Sequence, residues 1–148
     1  MVLLDRVYHH YHCHHLRMML VYRIEHRETG IGPYHSSQTQ PGLRQWNKEY
    51  EMMPPPWMDG LHGVKKYHRF AHPDLAVIQA HYRKRILKWL HKKGYILIIY
   101  NTYNGYRTGF SKKQVMFNIK HAEKVDSISL LEVIQWLTIF TMMQTIVH

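Results

Sequence analysis

The chain has a single cysteine, Cys13, among its 148 residues. No internal disulfide can staple the fold, so an apolar core must hold it, and a reducing compartment, the cytoplasm, is the default setting. Negative charge is scarce in the middle of the chain: residues 61–120 hold thirteen Lys and Arg against Asp74 alone. Residues 1–60 balance six basic against six acidic side chains, and residues 121–148 set one Lys against three acids. The net charge of +10 is therefore a property of one segment. Such a concentration predicts a phosphate-rich partner or an acidic protein surface.

Several motifs are missing too. The apolar start MVLL breaks off after four residues, too short for the core of a signal peptide. No Lys-Ser or Lys-Thr follows Gly30-Ile31-Gly32-Pro33, as a P-loop would require. No Ser-His-Asp order stands out, and fourteen scattered histidines make any single His coincidence uninformative.

What is present begins with a crowded start, YHHYHCHH at residues 8–15. On a strand, His10, His12 and His14 would project to one side, and imidazole with the Cys13 thiolate suits zinc or a softer metal. A structural zinc site draws ligands from two separated pairs, however, and no second pair appears. Residues 1–17 thus read as a His-rich extension, with no metal or other cofactor assigned.

Alternation in Val21-Tyr22-Arg23-Ile24-Glu25 predicts a half-buried strand, which Gly30, Gly32 and Pro33 end in a turn. A long loop follows, in which Pro54-Pro55-Pro56 favours an extended path and Trp46 and Trp57 can pin it to the core. From Pro73 to Lys93 the spacing of Leu75, Ile78, Tyr82, Ile86, Trp89 and Leu90 predicts one long amphipathic helix. Pro73 fits its first position, Asp74 its positive start and Gly94 its left-handed end. His81, Lys84, Lys88, His91 and Lys92 fall on the opposite face, with Arg85 at its edge. That face is either merely solvated or a phosphate-contacting surface.

Tyr95–Tyr100 is a continuous apolar run between Gly94 and Asn101, a central strand, and Gln114–Ile119 is a second strand able to pair with it as a hairpin. The loop between them mixes Tyr103, Tyr106 and Phe110 with Arg107, Lys112 and Lys113. Stacking groups interleaved with phosphate-binding groups are what single-stranded nucleic-acid surfaces use. The last stretch, from Leu130 to Val147, is apolar apart from Glu132, two glutamines and several threonines. It predicts a buried or partner-facing helix in preference to a membrane anchor.

The fold class these elements imply is α+β: one small domain over residues 18–130, a mixed or antiparallel sheet with the basic helix packed on it, and an apolar C-terminal helix over 131–148. The candidate nucleic-acid-binding residues are Arg83, Lys84, Lys88, Lys92, Tyr103, Tyr106, Arg107, Lys112 and Lys113. A weaker candidate ligand loop comprises Arg23, Gly30, Gly32 and Tyr34. No residue is assigned a catalytic role.

YRIEHRETGIGPYHSS resembles the opening of a family of small bacteriophage and prophage proteins that begin Tyr-Arg-(Ile/Val)-Glu and continue Thr-Gly-x-Gly-Pro-Tyr. PPPWMDGLHG is similar to that family's Pro-rich Asp-Gly segment. The resemblance continues through RFAHPDL, a helix ending near Trp89, GYILIIY and QVMF, and covers roughly residues 21–130. It implies a small α+β domain and a setting inside an infected bacterium, and it brings no established activity with it; the basic helix and the Tyr/Arg/Lys loop are what point to binding of nucleic acid or of a host complex that handles it. Val21-Tyr22-Arg23 also faintly resembles the first strand of arginine-type ADP-ribosyltransferases, in which a buried arginine binds a dinucleotide phosphate and a later strand supplies a glutamate. Here the later strand offers Gln114, and the nearest acid, Glu123, lies beyond it. An NAD-using enzyme is thus one alternative, and a protein inhibitor of a host enzyme another.

Overall fold

The computed structural model describes residues 18–33 and 54–147. In chain order the elements are β1 (Met18–His26), a 3-10 turn (Pro56–Asp59), β2 (His68–Ala71), α1 (Leu75–His81), α2 (Lys84–Lys92), β3 (Tyr95–Tyr103), β4 (Arg107–Thr108), β5 (Val115–Asn118), a second 3-10 turn (Ile119–His121), β6 (Ala122–Ile128) and α3 (Leu130–Val147). The fold is α+β, as the sequence predicts. The single sheet is corrected to two antiparallel ones, ordered β1-β3-β6 and β2-β5-β4.

Strand period explains the layering. Tyr95 and Leu97 of β3 face a core shared with Ile24, Ile78, Ile86, Leu87, Leu90, Leu130 and Val133. Ile98 and Tyr100 face the other way, into a second core with Val21, Ala71, Val115 and Phe117. The first sheet is therefore covered by helices on one side and by the second sheet on the other. This is why the run from Tyr95 to Tyr100 is apolar without alternation: both faces are buried, and each large side chain so placed contributes roughly 1.5–3 kcal/mol.

The two sheets meet at their edges. A single bridge joins β1 to the residue after β2, with Tyr22 N–H donating to the His72 carbonyl and His72 N–H to that of Tyr22, both at 2.8 Å.

Three expectations from the sequence change. β3 and β5 do not form a hairpin with each other: both edges of β3 are taken by β1 and β6. Asn104 and Gly105, at φ 32° and 73°, turn the chain out of that sheet, and β5 pairs with β2 and β4 instead. The predicted long helix is two helices. Tyr82 (φ −97°, ψ 116°) and Arg83 (φ −68°, ψ 151°) leave helical geometry between them. No glycine marks the break; the Tyr82 ring is buried, edge-on to His72 at 5.8 Å and to His81 at 4.7 Å, and these contacts override helix propensity. Pro73 precedes the helix, and Asp74 is its N-cap, its Oδ1 accepting the Val77 N–H at 2.9 Å. Gly94, at φ 91°, provides the expected left-handed exit from α2.

α3 fills the range the sequence predicts. Leu130, Val133 and Ile134 are buried at its start, whereas Ile139, Met142, Met143 and Ile146 are exposed. Among the described residues, no helix is long and apolar enough to cross a membrane.

Candidate functional site

On α2, the sequence KRILKWLHK buries Ile86, Leu87 and Leu90 and leaves Lys84, Arg85, Lys88 and Lys92 exposed. Arg83, just before it, is exposed too. His81 departs from the expected basic face: it is buried at the end of α1, and burial, then the charges of His72 and Lys113, bring its pKa down to about 4. It carries no charge near neutral pH.

The loop between β3 and β5 is more internally committed than its composition suggests. The Tyr103 hydroxyl donates to Glu123 at 2.7 Å, and Tyr106 packs against the second core. Arg107 donates to the carbonyls of Gly60 at 3.2 Å and His62 at 3.4 Å. Lys112, at φ 60°, and Lys113 are exposed. The aromatic ring that faces solvent in this loop is Phe110, 82% exposed. Strands β4 and β5 belong to the second sheet, while α2 packs on the far side of the first, so the two basic groups belong to different layers.

A cleft of about 570 Å³ lies where the two sheets meet. The turn Thr29–Pro33 forms one wall, Pro54–Trp57 another and His68–His72 a third, with Arg23, Tyr82 and Gln114 among the other lining residues. Arg23 is buried there. Its Nε donates to Glu25 at 3.0 Å, one terminal nitrogen to the Phe70 carbonyl at 2.6 Å and the other to the Gly30 carbonyl at 3.0 Å. Burial pulls its pKa down and Glu25 pulls it back, so the guanidinium stays a cation. Glu25 in turn accepts from the Tyr100 hydroxyl at 2.9 Å, and burial and that carboxylate keep the hydroxyl protonated well above its ordinary range.

This geometry accounts for Thr-Gly-Ile-Gly-Pro. Gly30 sits at φ 71°, a left-handed conformation that favours glycine. Gly32 is glycine for a different reason: a Cβ there would lie 3.3 Å and 3.4 Å from the two terminal nitrogens of Arg23. The loop and the strand are thus matched residue to residue. Tyr34 lies outside the described residues, as do the His-rich start and Trp46.

The Pro-rich wall is anchored by Asp59, contrary to the expectation for Trp57, which is 68% exposed. The buried Asp59 carboxylate accepts from the Ser111 N–H at 2.6 Å, the Ser111 hydroxyl at 2.8 Å and the Gln114 amide at 2.8 Å. A Cβ on Gly109 would collide with it. Gln114 also donates to the Pro54 carbonyl at 2.8 Å. Both its amide hydrogens are therefore used, and what it can offer a ligand is its oxygen.

Sequence reasoning assigned no role to His68, Arg69, His72 or Asp59. Asp59 was the most findable, since Asp-Gly after a proline run signals a fixed turn. Among the described residues no three His, Cys, Asp or Glu side chains gather as a metal site.

No match to the chain was found among curated proteins or solved structures. A family model described as the bacteriophage T4 Y00F protein matches residues 19–131, the span that contains both sheets, α1, α2 and the cleft. The chain belongs to this bacteriophage T4 Y00F family.

Proposed function

We propose that this phage-family protein acts by binding, and that the basic face of α2 takes nucleic acid. The observation that supports the reading is that Lys84, Lys88 and Lys92 are all exposed on a helix that buries Ile86, Leu87 and Leu90 and carries no acid. Spacings of four residues put three ammonium groups along one ridge, a match for the repeating phosphates of a polynucleotide. Arg83 adds a guanidinium at its start. The loop between β3 and β5 contributes less, because Tyr103 and Arg107 are held by Glu123 and by carbonyls.

The test is binding of the purified chain to single- and double-stranded DNA and RNA at two salt concentrations. Affinity should fall steeply with salt, and Lys84→Glu, Lys88→Glu and Lys92→Glu together should abolish it while the fold survives. Binding that is unchanged in the triple variant overturns the reading. Salt-insensitive binding to a host protein would favour the inhibitor reading instead.

A second reading, an ADP-ribosyltransferase-like use of NAD, draws on the fact that Arg23 and Gln114 line the same cleft. Among the described residues no carboxylate lines that cleft to stabilise positive charge developing on a ribose, and Glu123 is hydrogen-bonded to Tyr103. The arrangement favours holding a ligand over transferring a group from it. NAD turnover by the wild-type chain would reverse that ordering.

A further inference from the structure

We propose that the cleft over Arg23 is a binding site for a nucleoside phosphate, separate from the α2 face. Its volume, about 570 Å³, falls within the ordinary range for small-molecule sites. Among the described residues its lining includes two guanidiniums, Arg23 and Arg69, and two imidazoles, His68 and His72, with no Asp or Glu. An anion entering it meets the N–H groups of Arg23, Arg69 and His68, with no opposing carboxylate among the described residues.

The donors are held in place before any ligand arrives. Arg23 uses three of its five N–H groups on Glu25, Phe70 and Gly30, which leaves one on each terminal nitrogen. Gly32, with no side chain, is what keeps those two nitrogens uncovered on its side. His68 accepts the Lys65 N–H on Nδ1 at 2.8 Å, so its proton sits on Nε2 and can be donated. A buried guanidinium fixed by a carboxylate and two carbonyls loses little entropy on meeting a phosphate.

The same cleft also offers acceptors, which a bare phosphate would not need. Gln114 has only its amide oxygen left to give. His72 faces the Lys113 carbonyl through Nδ1 at 3.0 Å, and a carbonyl can only accept, so the proton is on Nδ1 and Nε2 is an acceptor. Burial holds its pKa below the ordinary value, keeping it neutral. Ribose hydroxyls and base amino groups are donors that would use these positions. Finally, Trp57 is 68% exposed at the cleft wall, on a turn fixed by prolines and the Asp59 anchor. A rigidly mounted, solvent-facing indole beside cationic groups is a stacking platform for a base.

The experiment is calorimetric titration of the full chain with ADP, NAD, adenosine and inorganic phosphate. ADP or NAD should bind saturably, and adenosine and phosphate alone at least tenfold more weakly. Trp57→Ala should weaken ADP binding roughly tenfold with an unchanged melting temperature, because the ring is exposed. Arg69→Gln should do the same from the phosphate side. The triple Lys84, Lys88, Lys92 variant should bind ADP as the parent does, which separates failure of this site from failure of the α2 face. No saturable binding of ADP or NAD overturns the proposal. So does phosphate binding as tightly as ADP, or full ADP affinity in both Trp57→Ala and Arg69→Gln.

Discussion

Arg23 and the lysines of α2 carry the same charge in opposite circumstances. Arg23 is 7% exposed and donates to Glu25, Phe70 and Gly30, whereas Lys84, Lys88 and Lys92 stand in solvent. The first is part of what holds the two sheets together, since it ties β1 to the Phe70 carbonyl of β2 and to the glycine turn. The others can change without the fold noticing. Charge on the surface is available for evolution to spend on partners, while charge inside is committed to architecture and to whatever enters the cleft.

The sharpest way to break this comparison is Arg23→Met. It leaves Glu25 buried with only the Tyr100 hydroxyl, and loss of one partner from such a pair costs about 3–5 kcal/mol. Urea unfolding should show it, and Arg23→Met with Glu25→Met should be less destabilised than the single change. Next comes acid. His81 has a folded pKa of about 4 against an ordinary value near 6.5, so the unfolded chain takes up a proton that the folded one refuses. Its contribution is fully present above pH 6.5 and is lost as the pH falls toward 4, on the order of 3 kcal/mol. His72, whose pKa is also lowered by burial, acts in the same direction. Urea midpoints at pH 7.5 and 4.5 measure the loss, and His81→Gln should flatten it.

A smaller effect is expected from Asp74→Ala, which removes the N-cap of α1 and should cost about 1 kcal/mol in the same assay. The smallest belongs to the exposed lysines. Each Lys→Glu change on α2 should move stability by no more than about 0.5 kcal/mol. A loss near that of Arg23→Met would mean that these side chains, too, are structural.

Much of this was legible from residue pattern. β1 and β3 announced themselves because burial on one face or two leaves an alternating or continuous apolar run, and α3 through an apolar run that is buried only at its start. β2 and β6 did not. His68–Ala71 has four residues and one fully buried side chain, and the register shift between Ile99 and Tyr100 spoils any two-residue period in β6. The division of the long helix at Tyr82 was hidden for a different reason: it goes with the burial of the Tyr82 ring edge-on to His72 and His81, which apolar spacing along the helix does not register. At the cleft, Arg23, Gly30 and Gly32 could be named from their local pattern. Arg69 and His72 could not, because what brings them there is strand pairing over more than forty residues.

The reciprocal bonds between Tyr22 and His72 give the molecule a seam. The cleft lies beside this one rung and not beside a full ladder, so a ligand that touched both of its walls would brace the two sheets against each other where a single pair of backbone bonds joins them. The amide protons of Tyr22 and His72 are its gauge: they exchange with solvent as that rung opens, and a molecule that braces the two sheets will slow them before it slows any others.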